Sequence, residues 1–303
     1  MGDTDISTKE DSVSKRVKMF GLAALVMSLA LLPTAVSASA ATKSPTGDFA
    51  VFSDCPTENP LVKACFADVS TAGGFQVGKI DVPIVTPVYL QGGLYENEAT
   101  STLEFVPAAD GKSLAMKPEE VPGGIFSVVN EKHYPGYLRS FCKTFPKNST
   151  CKLTGVVEGV GFPVFNFSNL LSGQGTAVEV PLRLHLKNPL LGARCYIGSP
   201  ADPIIVQYTT GTTSPPPPNT PITGALGAGE GRDEGSWIGL AGNELVDNAF
   251  AAPGAEGCGG PQAVNVDREM NKMDGLPSPA GYNTTKLGGS LDLAAAAAVV
   301  ASE

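Results

Sequence analysis

The sequence predicts a mainly β protein. Its core would be an antiparallel β-sandwich-like domain stabilised by disulfides, followed by a Gly/Pro-rich C-terminal portion with one or two short helices. Three observations predict this. Val178, Val180, Leu182, Leu184 and Leu186 alternate with Glu179, Pro181, Arg183, His185 and Lys187, the period-two pattern of a strand with one buried and one wet face. Gly (35) and Pro (25) make about a fifth of the 303 residues, so turns are many and long amphipathic helices few. The six cysteines are an even number, and they follow an export leader, which reads as a disulfide framework.

The leader comes first. Lys15, Arg16 and Lys18 precede an apolar run from Met19 to Leu32, then Pro33 and the small residues Val36-Ser37-Ala38-Ser39-Ala40. A short apolar run with basic residues before it and an A-x-A-like site after it is a signal peptide, with cleavage expected after Ala40 and after Ala38 as the alternative. An uncleaved anchor would need a longer run. The leader carries four acids and four bases, so the net charge of −9 belongs to the remainder. That charge argues against a nucleic-acid partner, which needs clustered Lys and Arg. No later run of membrane length follows, so no stable membrane anchor is expected after cleavage.

The mature chain is expected to open with a short strand at Phe49–Phe52, a cysteine-bounded knot to Cys65, and strands at Phe66–Val69, Phe75–Ile84 and Val85–Leu90. Gly73-Gly74 reads as a hairpin-like break and Gln91-Gly92-Gly93 as a turn, and Pro83 and Pro87 confine the neighbouring strands to edges or bulges. Thr102–Val106 is a further strand, and Asp110-Gly111 a hairpin signal. Residues 131–152 read as irregular, aromatic and cross-linked. Leu153–Phe167, interrupted by Gly155, Gly159 and Gly161, reads as a bent strand. Val178–Leu186 follows, then an Asn188-Pro189 turn and strands at Cys195–Ile197 and Ile204–Tyr208.

Thr209–Pro221 contains the tetraproline Pro215–Pro218, which is extended and semi-rigid. The organisation expected is therefore a leader over 1–40, a β-rich domain over 41–210, a Pro-rich linker or crossover loop over 211–221, and a Gly-rich region over 222–303, separate or packed on the same domain. Within the last region Asn243–Phe250 and Val264–Met273 read as short helices. Leu291–Ala301, with five consecutive alanines, reads as a helix by propensity, or else as a closing strand or a frayed tail, because isolated short helices are marginal.

Cys55, Cys65, Cys142, Cys151, Cys195 and Cys258 allow 15 pairings, and sequence does not choose among them. Proximity favours Cys55–Cys65 and Cys142–Cys151, which leaves Cys195–Cys258. No C-x-x-C pair or zinc-type spacing is present.

Several short motifs recur together: Gln91-Gly92-Gly93, Val121-Pro122-Gly123-Gly124, Asn188-Pro189-Leu190-Leu191-Gly192, Cys195-Tyr196-Ile197-Gly198-Ser199, Thr210-Gly211-Thr212-Thr213-Ser214 with the four prolines, Leu245-Val246-Asp247-Asn248 and Gly257-Cys258-Gly259. As a set they resemble a family of secreted actinobacterial proteins to which no activity is attached. The resemblance implies export, a Gram-positive surface or extracellular location and a β-rich fold.

Catalytic signals are few. Of the two histidines, His185 lies on the polar face of its strand between Arg183 and Lys187, whose charges would depress imidazole basicity, and reads as solvated. His133, with Tyr134 and Tyr137 in an aromatic loop, is the better candidate for a binding surface. The alternative for Tyr134, Tyr137, Phe141 and Phe145 is a small satellite core. No G-x-S-x-G elbow and no P-loop lysine occur. Candidate acids for glycoside hydrolysis, among them Glu96, Glu98, Glu104, Asp233, Glu234 and Asp247, show no pairing. No catalytic, metal or cofactor residue is assigned and no cofactor is expected. The reading is an exported, non-catalytic binding or structural component, extracellular or wall-associated, with an extracellular or cell-wall ligand. The alternative is a secreted hydrolase whose site has no sequence motif.

Overall fold

The computed structural model describes residues 44–97, 102–232 and 236–303. The leader assigned to residues 1–40, and Glu98, Asp233 and Glu234, lie outside them. Fifteen strands form two antiparallel sheets among the described residues.

The larger sheet contains β1 (Ala64–Val77), β2 (Ile80–Pro83), β3 (Val88–Asn97), β4 (Thr102–Pro107), β5 (Leu114–Ala115), β12 (Ala228–Arg232), β13 (Trp237–Asp247) and β15 (Thr284–Ala295). Its order is β12-β13-β15-β1-β3-β4, with β2 on β1 and β5 on β3. The smaller sheet contains β6 (Glu119–Glu120), β7 (Thr154–Gly159), β8 (Val164–Phe165), β9 (Val178–Lys187), β10 (Tyr196–Ile197), β11 (Ile204–Tyr208) and β14 (Ala255–Glu256). Its order is β14-β10-β9-β7-β6, with β8 and β11 also on β9. Four helices accompany them: α1 (Gly136–Thr144), α2 (Phe167–Ser172), α3 (Ala263–Asp274) and α4 (Ala296–Ala301).

The β9 strand behaves as its alternation requires. Val178, Val180, Leu182, Leu184 and Leu186 are buried and the residues between them are not. Their side chains meet Phe66, Leu90 and Leu94 of β1 and β3, and Leu287 and Leu291 of β15, in one core shared by both sheets. This is a sandwich. A second, smaller cluster covers one region of the outer face of the larger sheet. There Cys65, Ala67, Trp237 and Ala294 lie under Phe52, Val62 and Val299.

Several expectations are corrected. Gly73-Gly74 and Gly92-Gly93 are not breaks but strand interiors. A Cβ at Gly92 would lie 2.3 Å from the Phe105 ring, and one at Gly93 2.6 Å from Val62, so these glycines serve close packing on both faces of β3. The chain reverses instead at Gly78, whose φ is 58°. Asp110-Gly111 is an excursion rather than a hairpin, because β4 and β5 follow one another along the same edge of β3. Phe49–Phe52 lies in a 3-10 helix, Gly47–Phe52, with Phe52 buried. The irregular segment over 131–152 contains α1. The bent strand divides into β7 and β8 and runs on into α2, whose start is capped by Asn166 Oδ1 accepting from Asn169 N–H.

The expected helix at Asn243–Phe250 is absent. Asn243–Asp247 belongs to β13 and pairs with β15 on one side, while bridges from Glu244 to Ala225 and from Val246 to Thr209 hold the other. Leu291–Ala301 divides at Ala295. The strand persists while β1 and β13 flank it, and the alanines coil into α4 only where Ala295 meets the first residue of β1, Ala64. Strand partners on both sides override local propensity until they run out. The helix expected at Val264–Met273 is present as α3 and ends at Gly275, whose φ is 70°.

The Pro-rich segment is not a boundary between the sheets. β12, β13 and β15 follow it in sequence and share a sheet with β1, β3 and β4, which precede it. Asn219 Nδ2 donates to the carbonyls of Asn248 and Asn283, and Thr213 is buried. The described residues form one compact unit.

Disulfides join Cys55 to Cys65, Cys142 to Cys151 and Cys195 to Cys258, and no cysteine is free. The Cys195–Cys258 bridge spans 63 residues and the other two span 10 and 9. In the chain-entropy picture it contributes about 4 kcal/mol, against roughly 2.6 kcal/mol for each short loop. Peptide mapping under non-reducing conditions should return these three pairs. In denaturant unfolding, the Cys195→Ala/Cys258→Ala double variant should lose more stability than the Cys142→Ala/Cys151→Ala variant.

Candidate functional site

The outer face of β9 gathers the most organised polar cluster of the molecule. Strand pairing places Glu158 of β7 beside Arg183, and Tyr196 of β10 beside His185. Arg183 donates from Nη2 and Nε to Glu158 Oε2, at 2.7 and 2.9 Å. His185 Nδ1 lies 2.9 Å from Glu158 Oε1. Tyr196 serves as the platform. The Arg183 guanidinium carbon is 4.1 Å from its ring centroid, and the His185 ring centroid is 4.3 Å away at an interplanar angle of 35°.

Burial of Glu158 acts to raise its pKa, but the hydrogen bonds and charges of His185 and Arg183 outweigh it and hold the carboxyl below its ordinary range. Glu158 is therefore an anion that can only accept, and the proton of His185 sits on Nδ1. Only 12% of the His185 side chain is exposed. The solvated histidine expected from its flanking cations is thus corrected: Glu158, 27 residues away in sequence, comes between. Among the described residues no serine, threonine or cysteine hydrogen-bonds to this imidazole. Glu158 thus holds both the guanidinium and the imidazole in fixed orientations.

Two shallow grooves adjoin it. One, of about 430 Å³, opens between β5 and β7. Leu114, Met116, Val157 and Val180 line it, Glu158 lies at its side, and Phe162, 71% exposed, lies at its rim. The other, of about 660 Å³, is lined by Lys152, Thr154, His185, Lys187, Pro189 and Ala193.

The residues singled out in the sequence are dispersed. Tyr134 turns inward and packs edge-on against Phe126, 6.4 Å between centroids, and burial pushes its phenol pKa up. Tyr137, on α1, is exposed. Backbone atoms of His133 lie in the 3-10 turn Glu131–His133, and its side chain is outside the described atoms. Phe141 and Phe145 stack at 5.1 Å beside the Cys142–Cys151 bridge. Sequence reasoning missed Glu158 and Tyr196. The only signal available was that both lie in strand-like segments near the alternating strand.

A second polar group is buried between the sheets. Asn243, Gly289 and Ser70 form one row across β13, β15 and β1. Asp68 Oδ1 accepts from Ser70 Oγ at 2.7 Å, and Asp68 Oδ2 faces Asn243 Nδ2 at 3.4 Å. Burial raises the Asp68 pKa to about 6, against the two hydrogen bonds, with Asp292 adding to the rise. Asp274, at the end of α3, is raised by burial to about 7, with Lys79 opposing.

Comparison with protein-family models, curated proteins and solved structures finds no match, so the resemblance to secreted actinobacterial proteins gains no support from them. Among the described residues no helix is long and apolar enough to cross a membrane, and no group of three or more His, Cys, Asp or Glu could hold a metal.

The buried acids set a pH dependence. A carboxyl whose folded pKa lies above its unfolded value favours folding while protonated, and that stability is lost as pH rises through the folded value. For Asp68 the loss runs from about pH 4 to about pH 6 and amounts to roughly 3 kcal/mol. Asp274 extends the window to about pH 7. Glu158 acts in the opposite sense in acid, losing its contribution as pH falls below the ordinary carboxylate value. Asp68→Asn should therefore unfold at a higher temperature than the parent near pH 8, with the difference vanishing near pH 4. Paired thermal melts across that range check this, and an equal difference at both ends would refute it.

Proposed function

We propose that this chain is an exported, non-catalytic binding component that works outside the cell or in its wall, through the outer face of the seven-stranded sheet. The observation that carries the reading is the Glu158–Arg183–His185–Tyr196 cluster. Its aromatic ring, cation, imidazole and carboxylate are held by one another on a partly exposed sheet face between two shallow grooves. A rigid aromatic flanked by fixed polar groups binds with little loss of side-chain entropy.

Export is supported by the leader pattern at residues 1–40 and by the oxidation of all six cysteines. Three cross-links suit a protein that must persist where proteases are common. The second reading, a secreted hydrolase, draws on the same cluster, since an imidazole oriented by a carboxylate belongs to nucleophile-activating relays. Here Arg183 shares that carboxylate, and the relay lacks its hydroxyl or thiol among the described residues.

Sedimentation with insoluble cell-wall material, followed by quantification of bound protein, tests the binding reading. Tyr196→Ala and Arg183→Ala should each reduce retention about tenfold, the loss expected of an interfacial anchor. Chromogenic ester, glycoside and peptide substrates should show no turnover that His185→Ala removes. Turnover abolished by that substitution would establish the hydrolase instead.

A further inference from the structure

The groove beside the end of β9 presents two lysines in a chain that is net acidic. The protein carries a net charge of −9, yet Lys152, His185 and Lys187 line this groove and no acid does. Lys187 is exposed and makes no side-chain hydrogen bond or ion pair among the described residues. The Lys152 ammonium lies 2.8 Å from Glu120 in an exposed pair, which contributes little in water and leaves further N–H groups to donate. Pro189 and Ala193 add apolar surface to its lining, with Ser149 and Thr154 among the polar lining residues.

The walls are fixed before any ligand arrives. Asn188 Nδ2 donates to the carbonyls of Thr150 and Lys152, which ties the 149–152 segment to the end of β9. The Cys142–Cys151 bridge holds the same segment from its other side. Such preorganisation reduces the ordering lost on binding.

We infer that this groove takes an anionic stretch of an extracellular glycan polymer, one bearing phosphodiester or uronate groups. The inference rests on the binding reading above and names its ligand class. Sugar rings present apolar C–H faces that suit Pro189 and Ala193, and their anionic groups would meet Lys152 and Lys187. A neutral glycan would offer the exposed Lys187 ammonium only hydroxyl acceptors, whereas an anionic group makes a charge-assisted hydrogen bond. The negative charge of the rest of the surface repels a polyanion elsewhere and so directs it to this groove.

Calorimetric titration of the full chain freed of its leader tests this. The probes are a glycerol-phosphate oligomer, an oligogalacturonate of similar charge and a neutral maltooligosaccharide of the same length. At least one anionic oligomer should bind, and the neutral one should not. Raising salt from about 50 to about 300 mM should weaken binding about tenfold or more. Lys187→Glu and Lys152→Glu should each weaken it about tenfold, while Lys112→Glu, in the groove between β5 and β7, should change it less than about twofold. Unchanged circular dichroism would show that the variants are folded. A preference between phosphate and uronate identifies the source of the anion. Equal binding of the neutral oligomer, indifference to Lys187→Glu, or an equal loss with Lys112→Glu would overturn the inference. Retention on wall material without affinity for either anionic oligomer would refute this inference alone. Affinity for the oligomers without retention on wall material would refute the wall-binding reading alone.

Discussion

The position of β15 between β1 and β13 is the constraint on which the rest of the structure depends. This strand joins the two halves of the eight-stranded sheet, and its partners in β1 lie more than two hundred residues away in sequence. Non-local pairing of this kind is slow to form, because loop closure must precede the contacts that stabilise it. It also makes the C-terminal region integral to the core rather than an addition to it. Glycines permit the fit. A Cβ on Gly289 would stand 1.9 Å from the Val69 carbonyl oxygen, at the place where β1 and β13 both shift register against β15. Ser70 and Asn243, on the strands either side of that bare backbone, both donate to Asp68 inside the sandwich.

A consequence is that the two sheets have unequal outer faces. The first residues of the described chain, the Cys55–Cys65 loop and α4 are gathered over the larger sheet where β1, β13 and β15 run together. The smaller sheet keeps the outer face of β9 partly exposed. The same alternation that sends Val180, Leu182 and Leu184 into the shared core places Arg183 and His185 outside, within reach of Glu158 and Tyr196. The cluster is therefore a product of register. A slip of one residue in β7 against β9 would turn Glu158 to the opposite face and unpair both Arg183 and His185.

Polar groups are treated differently on the two sides of the smaller sheet. Outside, Glu158 is ionised and doubly paired. Inside, Asp68 faces no cation among the described residues, and burial favours its neutral form, which keeps a hydrogen-bonded carboxyl compatible with an apolar core. One carboxylate organises a surface, and the other is a buried acid sealed among serine, asparagine and leucine side chains.

The alternating pattern of β9, the helix over α3 with its glycine stop, and the even set of cysteines were all legible by inspection, because each is read directly from the residues in order. Only the tertiary structure decided that the glycine pairs 73–74 and 92–93 are strand interiors, that the segment at Asn243 is a strand, and that the alanine-rich end begins as the central strand of a sheet. Only it brought Glu158 to His185 and made a groove of Lys152 and Lys187. The physical reason is common to all of these. A strand's identity, a glycine's purpose and a charge's partner are set by what lies alongside in space, and in an antiparallel sandwich those neighbours come from distant stretches of the chain.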